Sequence, residues 1–150
     1  MHIKMKTQKK RRKENKTDYL KRLKLLKGRT PRLVFRRSDR YLTAEYITSK
    51  EAQDRVIFGL NSKKLLEYGW PEEMKNSLKT IPAAYLLGFL TGKKILKEKL
   101  EQPITDFGML RNIHKTGTFA FLKGLIDSGL KINCQKEAFP EEERIRGKHL

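Results

Sequence analysis

"PRLVFRRSDRYLTAEYIT", Pro31 to Thr48, reads as two β-strands around a tight turn at Ser38, Asp39 and Arg40. In the first strand Leu33 and Phe35 alternate against Arg32, Val34 and Arg36, the two-residue period of a strand with one apolar face. In the second, Leu42, Ala44 and Tyr46 share a face. The polar stretch "SKEAQD" follows as a loop, and Arg55 to Leu60 supplies a third strand, which predicts an antiparallel meander of unassigned strand order. Arg29, Arg32, Arg36, Arg37 and Arg40 then stand on or beside an ordered hairpin. Guanidinium forks suit phosphate oxygens and exposed base edges, so a fixed arginine surface points to a structured partner. The competing reading is that alternating arginines only blunt an exposed strand edge. Tyr41 and Tyr46 are read as core or edge packing rather than as stacking platforms.

Toward the C-terminus, "TIPAAYLLGFLTGKKILKEKL" has a helical apolar period, with Thr80 placed to cap it and Pro82 in the first turn, where a missing N–H costs little. Gly88 and Gly92 lie on one face and open it to another backbone. "PITDFGM" is a short strand of the buried type, "TFAFLKGLIDSG" a second helix ending near Gly129, and "FPEEERIRGKHL" a polar tail. A strand, a crossover helix and a strand predict a parallel pair. The expected fold class is therefore α/β, a mixed sheet in the order β-β-β-α-β-α covered by helices, preceded by a basic tail and a short helix.

Toward the N-terminus the charge rises. The 150-residue chain carries a net charge of +18, and +14 of it sits in residues 1–40, where 17 Lys and Arg meet three acids. Residues 1–16 hold almost no large apolar side chains to offset the entropy of ordering, so that stretch is expected to be disordered when free. From Thr17, placed as a cap, Tyr19, Leu20, Leu23 and Leu26 recur at helical spacing up to a stop at Gly28. Lys21, Arg22 and Lys24 fall mainly on the other side, which makes a short amphipathic helix too short to be stable alone. The expected organisation is a basic extension over residues 1–30, one core domain over 31–132 and a tail over 133–150.

Several chemistries lose ground on composition. A single cysteine, Cys134, excludes an internal disulfide, and the histidines at 2, 114 and 149 lie too far from it and from each other for zinc-ligand spacing. No metal, cofactor or small-molecule substrate is expected. No run of about 18 apolar residues is present, and charge stands where a signal peptide needs its apolar segment, so a cytosolic chain without a membrane partner is expected. The polycation admits an RNA backbone, an anionic membrane surface, a calmodulin-type partner or a merely solvated tail, and the small apolar face of the Tyr19–Leu26 helix, without Trp or Phe, weakens the second. A ribonuclease-H-like nuclease needs carboxylates converging from the first strand, which here offers arginines. Asp106 could play one such part, while Glu45 and Asp127 read as surface or capping acids. "GFLTGKK" has three residues between its glycines and Lys94 in place of Ser or Thr, and it lies inside a helical pattern, so it is a helix-packing site. No Ser/His/Asp arrangement can be assigned, and the aromatic-rich strand and GxxG loop of single-strand RNA modules are missing. The loop "GMLRNIHKTGT" adds Arg111, His114 and Lys115, and the tail adds Arg144, Arg146, Lys148 and His149. Glu141, Glu142 and Glu143 precede the tail's bases, so docking on its own domain and binding RNA are both open to it.

The ordered series "KTDYLKRLKLLKGRTPRLVFRRSDRYLTAEYI", "LLEYGW", "TIPAAYLLGFLTGKKIL", "ITDFGMLRNIHKTGTFAFLKGLIDSGLKI" and "FPEEERIRGKHL" resembles the large-subunit ribosomal protein L eighteen family, in its archaeal form, related to the eukaryotic L five protein. The resemblance implies a non-enzymatic α/β protein of the cytoplasmic ribosome. In that role it binds 5S rRNA and helps attach the central protuberance to the large-subunit rRNA, beside the L five protein of the bacterial naming scheme. Carried onto this chain, the family's basic block matches Lys9, Lys10, Arg11, Arg12 and Lys13. The following motif matches Lys16, Thr17, Tyr19, Lys21 and Arg22, with Lys24 on the same basic face. The strand motif matches Arg32, Arg36 and Ser38, expected at the rRNA surface, and the closing motif matches Arg144 to Gly147. Thr118 stands where relatives often have arginine, and Asp39 interrupts a basic hairpin. With Arg29, Arg37, Arg40, Arg111, Lys115 and Arg146 these residues make up the expected rRNA-binding set. A general RNA-binding or RNA-chaperone protein outside the ribosome is the alternative.

Overall fold

A computed structural model describes residues 7–148. Strands β1 (Arg32–Arg37), β2 (Leu42–Lys50) and β3 (Gln53–Asn61) form the antiparallel meander, and β4 (Ile104–Asp106) lies parallel to β1, giving the order β3-β2-β1-β4. The sheet is mixed, as the crossover helix α3 (Ile81–Lys97) requires. The Ser38 amide and hydroxyl donate to the Tyr41 carbonyl, and the Tyr41 amide donates to the Ser38 hydroxyl, which closes the first hairpin. The second hairpin is tighter than the polar "SKEAQD" suggests. The strands run on to Lys50 and from Gln53, leaving Glu51 and Ala52, both at positive φ (50° and 64°), as a two-residue turn. Such turns match the twist of paired strands, so pairing extends through residues whose polarity reads as loop.

Leu33, Phe35, Ala44, Tyr46, Phe58 and Leu60 face α3 and α4 (Gly117–Asp127) and form the core with Leu87, Ile95, Phe121 and Leu125. Phe35 meets the Phe121 ring at 4.5 Å and the Phe107 ring edge at 5.9 Å. The two helices pack backbone to backbone. A Cβ at Gly88 would press into the Phe121 carbonyl, and one at Gly124 would meet the Tyr85 carbonyl and lie 2.8 Å from the Phe89 nitrogen. Two short 3-10 turns between β3 and α3, Ser62–Tyr68 and Glu72–Ser77, were not legible in the sequence. Together they hold a smaller cluster of Leu65, Leu78 and Ala83 flanked by Tyr41 and Trp70.

Helix α2 (Tyr19–Lys27) stands beside part of the outer face of the sheet, where Lys21, Arg22 and Leu25 share a cavity with Arg32, Val34 and Ile47. Its cap is Asp18 and not Thr17: the Asp18 carboxylate accepts from the Leu20 and Lys21 amides, while the Thr17 hydroxyl accepts from Arg11 Nε at 2.9 Å. The cap falls one residue later because Asp18 is the last extended residue before the helix. The described part of the tail also differs from a formless chain. Lys10–Lys13 makes one helical turn, α1, and the Lys16 and Thr17 amides fold back to donate to the Arg11 carbonyl, although no α1 residue is buried. At the other end, residues 136–140 dock on the domain. Ala138 and Pro140 are buried, the Lys115 amide donates to the Ala138 carbonyl at 2.8 Å, and Lys115 Nζ meets Glu141 at 3.3 Å. A last turn, α5 (Glu142–Ile145), carries Arg144 back toward the core, and His149 lies outside the described residues.

Candidate nucleic-acid interface

The two parallel strands, β1 and β4, end on the same side of the sheet, where both long helices begin. Loops and helix starts at the carboxyl ends of parallel strands are favoured binding places. Here they enclose a groove of about 710 Å³ lined by Arg37, Lys79, Arg111, His114, Lys115 and Arg144 among others, with no carboxylate on its wall. Of its Lys and Arg side chains only Lys115 forms an ion pair among the described residues, with Glu141. The groove is also where two sets of helix amides point. Thr80 and Thr116 occupy the cap positions of α3 and α4, yet neither caps with its side chain. Their hydroxyls instead donate backwards, to the carbonyls of Ser77 and Ile113, both at 2.7 Å. First-turn N–H groups and the positive ends of both helix dipoles are thus left open beside the cations, an environment that favours anions. His114 is held edge-on to Phe119, ring centres 5.3 Å apart.

The expected rRNA-binding residues divide into three sets. Arg37, Arg111, Lys115 and Arg144 meet in the groove, together with Lys79, which sequence reading missed and whose only signal was its place just before a helix cap. Arg11, Lys16, Thr17, Lys21, Arg22, Arg32 and Arg36 surround a second cavity, under α2. The remainder are spread along the surface: Lys10, Arg12, Lys13, Lys24, Arg29 and Arg40 are exposed. Lys9 Nζ sits 4.6 Å from the centre of the Tyr19 ring, and Arg146 pairs with Glu142 at 3.2 Å. Ser38 is engaged in its own turn.

Arg32 departs most from expectation. Its side chain is 4% exposed and forms ion pairs with Asp106 at 3.2 Å and Asp54 at 2.7 Å, so it is an internal cation and not part of the outer surface. The cause is that β4 and β3 bring the Asp106 and Asp54 carboxylates to the polar face of β1. Burial alone would raise the Asp54 pKa, but hydrogen bonds from Arg22, Ser49 and Arg32 and the Arg32 charge outweigh it and hold that carboxylate at about 2. Asp106, the one acid a nuclease reading had to offer, accepts from Arg32 and from the Gly108 amide. Among the described residues no three His, Cys, Asp or Glu side chains gather as a metal site, and no helix is long and apolar enough to cross a membrane.

The fold and groove define a basic α/β domain whose cations converge on open helix ends, the class of surface that receives polyanions. The chain belongs to the family of ribosomal large subunit proteins 60S L5 and 50S L18, whose family model matches residues 3–105. It is 43% identical over 140 residues to the large ribosomal subunit protein uL18 of Korarchaeum cryptofilum (strain OPF8), a match that covers 93% of this chain and 70% of the relative. To the uL18 protein of Thermofilum pendens (strain DSM 2475 / Hrk 5) it is 40% identical over 141 residues, 94% of this chain and 70% of the relative. The archaeal-type resemblance read from the motifs is therefore established, and with it a structural role in the large ribosomal subunit.

Proposed function

We propose that this protein binds 5S rRNA in the large ribosomal subunit of the cytoplasmic ribosome. It helps fasten that RNA to the large-subunit rRNA in the central protuberance, next to the L five protein of the bacterial scheme, and it catalyses no reaction. The observation that carries the reading is the groove at the carboxyl ends of β1 and β4. Cations from four separate stretches of chain (Arg37, Lys79, Arg111 with Lys115, and Arg144) line it without a carboxylate. A set drawn from so many stretches keeps its spacing only in the folded domain, so it can match the phosphate positions of a folded RNA rather than charge alone. The exposed cations of the tail add affinity through counterion release without selecting a partner.

Replacing Arg37, Arg111 and Arg144 together with glutamine is expected to weaken 5S rRNA binding at least tenfold and to reduce its advantage over an unrelated folded RNA. Replacing Lys10, Arg12 and Lys13 should weaken both RNAs alike. Binding assays with the two triple variants on both RNAs decide it: equal losses of equal selectivity would remove the groove from the interface.

A further inference from the structure

The stretch "LLEYGW", Leu65 to Trp70, takes no part in the groove at the carboxyl ends of β1 and β4; it builds one wall of a different groove. The 3-10 turn Ser62–Tyr68 ends at Gly69, whose φ of 94° is a left-handed conformation that a side chain would strain. The chain reverses there, the Trp70 amide donates to the Leu65 carbonyl at 3.0 Å, and the indole Nε1 donates to the Met74 carbonyl, also at 3.0 Å. With its one polar atom satisfied, the Trp70 side chain offers the groove only apolar ring surface. The facing wall is α3, where Leu86, Phe89, Leu90 and Lys93 recur at the three- and four-residue spacing of one helix face. Between the two walls lies an apolar groove of about 460 Å³.

Its edges are apolar as well, with Leu86 40% and Tyr68 68% exposed, and contiguous exposed apolar surface marks a contact site. Charge selects the partner. Lys93 is the only charged side chain on the wall and no carboxylate lines the groove. Among the described residues Lys93 forms no ion pair, and its Nζ rests 5.3 Å from the centre of the Phe89 ring. A nucleic-acid backbone brings a charge with every nucleotide, which a single lysine cannot answer, and the aliphatic surfaces of Leu65, Leu86 and Leu90 suit protein side chains instead. A second copy of this chain would bring another +18 against the first. An apolar protein segment carrying a carboxylate answers both parts of the site, filling the groove and meeting Lys93.

We propose that this groove docks another protein of the large subunit through a short segment that seats large apolar side chains between Trp70 and Leu90 and sets a carboxylate against Lys93. The site shares no residue with the groove at the carboxyl ends of β1 and β4, so the inference stands apart from the 5S rRNA assignment.

The test replaces the exposed Leu86 with photoreactive benzoylphenylalanine, assembles the full chain into large subunits in the cell and maps the crosslink in the purified subunits by mass spectrometry. The expected product is a peptide of another subunit protein that holds large apolar side chains and an aspartate, a glutamate or a C-terminal carboxylate. A synthetic copy of that peptide should then shift the indole N–H resonance of Trp70, the single tryptophan of the chain, saturably in the isotope-labelled free protein. Leu86→Asp should weaken this binding about tenfold and Lys93→Gln about threefold, with unfolding midpoints that verify both variants fold. A crosslink to rRNA alone assigns the groove to nucleic acid, and a crosslink to a second copy assigns it to self-association; either overturns the proposal, as does the absence of any crosslink. Peptide binding that both variants leave unchanged overturns it too.

Discussion

Arg32 and Arg37 stand at the two ends of β1, and burial separates what each can do. Arg32 is enclosed with Asp106 and Asp54. Arg37 is exposed at the mouth of the groove. Truncating one member of a buried pair leaves the other charge unanswered, at a cost of about 3–5 kcal/mol. Arg32→Ala should therefore lose about that much unfolding free energy in urea titrations, while Arg37→Ala should change stability by less than about 0.5 kcal/mol and lose RNA affinity. The Asp54 carboxylate sets a pH dependence. Its pKa is about 2 in the folded protein, below the ordinary value of 3.8, so its stabilisation is complete above that ordinary value and is lost as pH falls toward 2. Unfolding measured between pH 6 and pH 2 should show stability falling with acid, and Asp54→Asn should flatten part of that fall. The alternation of β1 was legible, since Leu33 and Phe35 do face the core. The fate of Arg32 was not, because its partner Asp106 lies 74 residues away and local period says nothing about which later element will cover a polar face.

Among the elements, α3 and α4 are joined by their glycines. Gly124→Ala would drive a methyl into the Tyr85 carbonyl and the Phe89 nitrogen, neither of which can rotate away as a side chain would. A loss of about 1–3 kcal/mol is expected for such overpacking, read by thermal or urea unfolding. The spacing of Gly88 and Gly92 announced a close approach on α3, but Gly124, which completes it from α4, carried no comparable signal. Helix starts were legible in the same partial way. Thr80 reads as a cap, whereas the second helix reads from Thr118 and not from its cap position, Thr116; nor does sequence say whether a hydroxyl turns forward to the first-turn amides or back to a carbonyl. That direction leaves the groove's helix ends open. Thr116→Asp should therefore gain up to about 1 kcal/mol of stability by capping α4 and meeting its dipole, while lowering RNA affinity by putting negative charge in the groove. Calorimetric unfolding and RNA titration on one variant check both signs.

For the whole molecule, the distribution of charge decides function more than its total. A chain of net charge +18 binds any polyanion at low salt, so affinity by itself is weak support for a specific role. The proposed selectivity for 5S rRNA rests on cations that the fold holds at fixed spacing in the groove. The mixed sheet and its crossover helix could be read from the strand, helix and strand order, because a parallel pair needs such a connection. The 3-10 turns between β3 and α3 escaped because short irregular turns have no strong period, and the gathering of Arg37, Lys79, Arg111 and Arg144 escaped because it exists only after folding. The most direct measurement of the central claim is equilibrium binding of the full chain to 5S rRNA and to an unrelated folded RNA of equal length across a salt series. Preference for 5S rRNA that persists near physiological salt is the predicted result; equal affinities that fall together along one steep salt slope would contradict it.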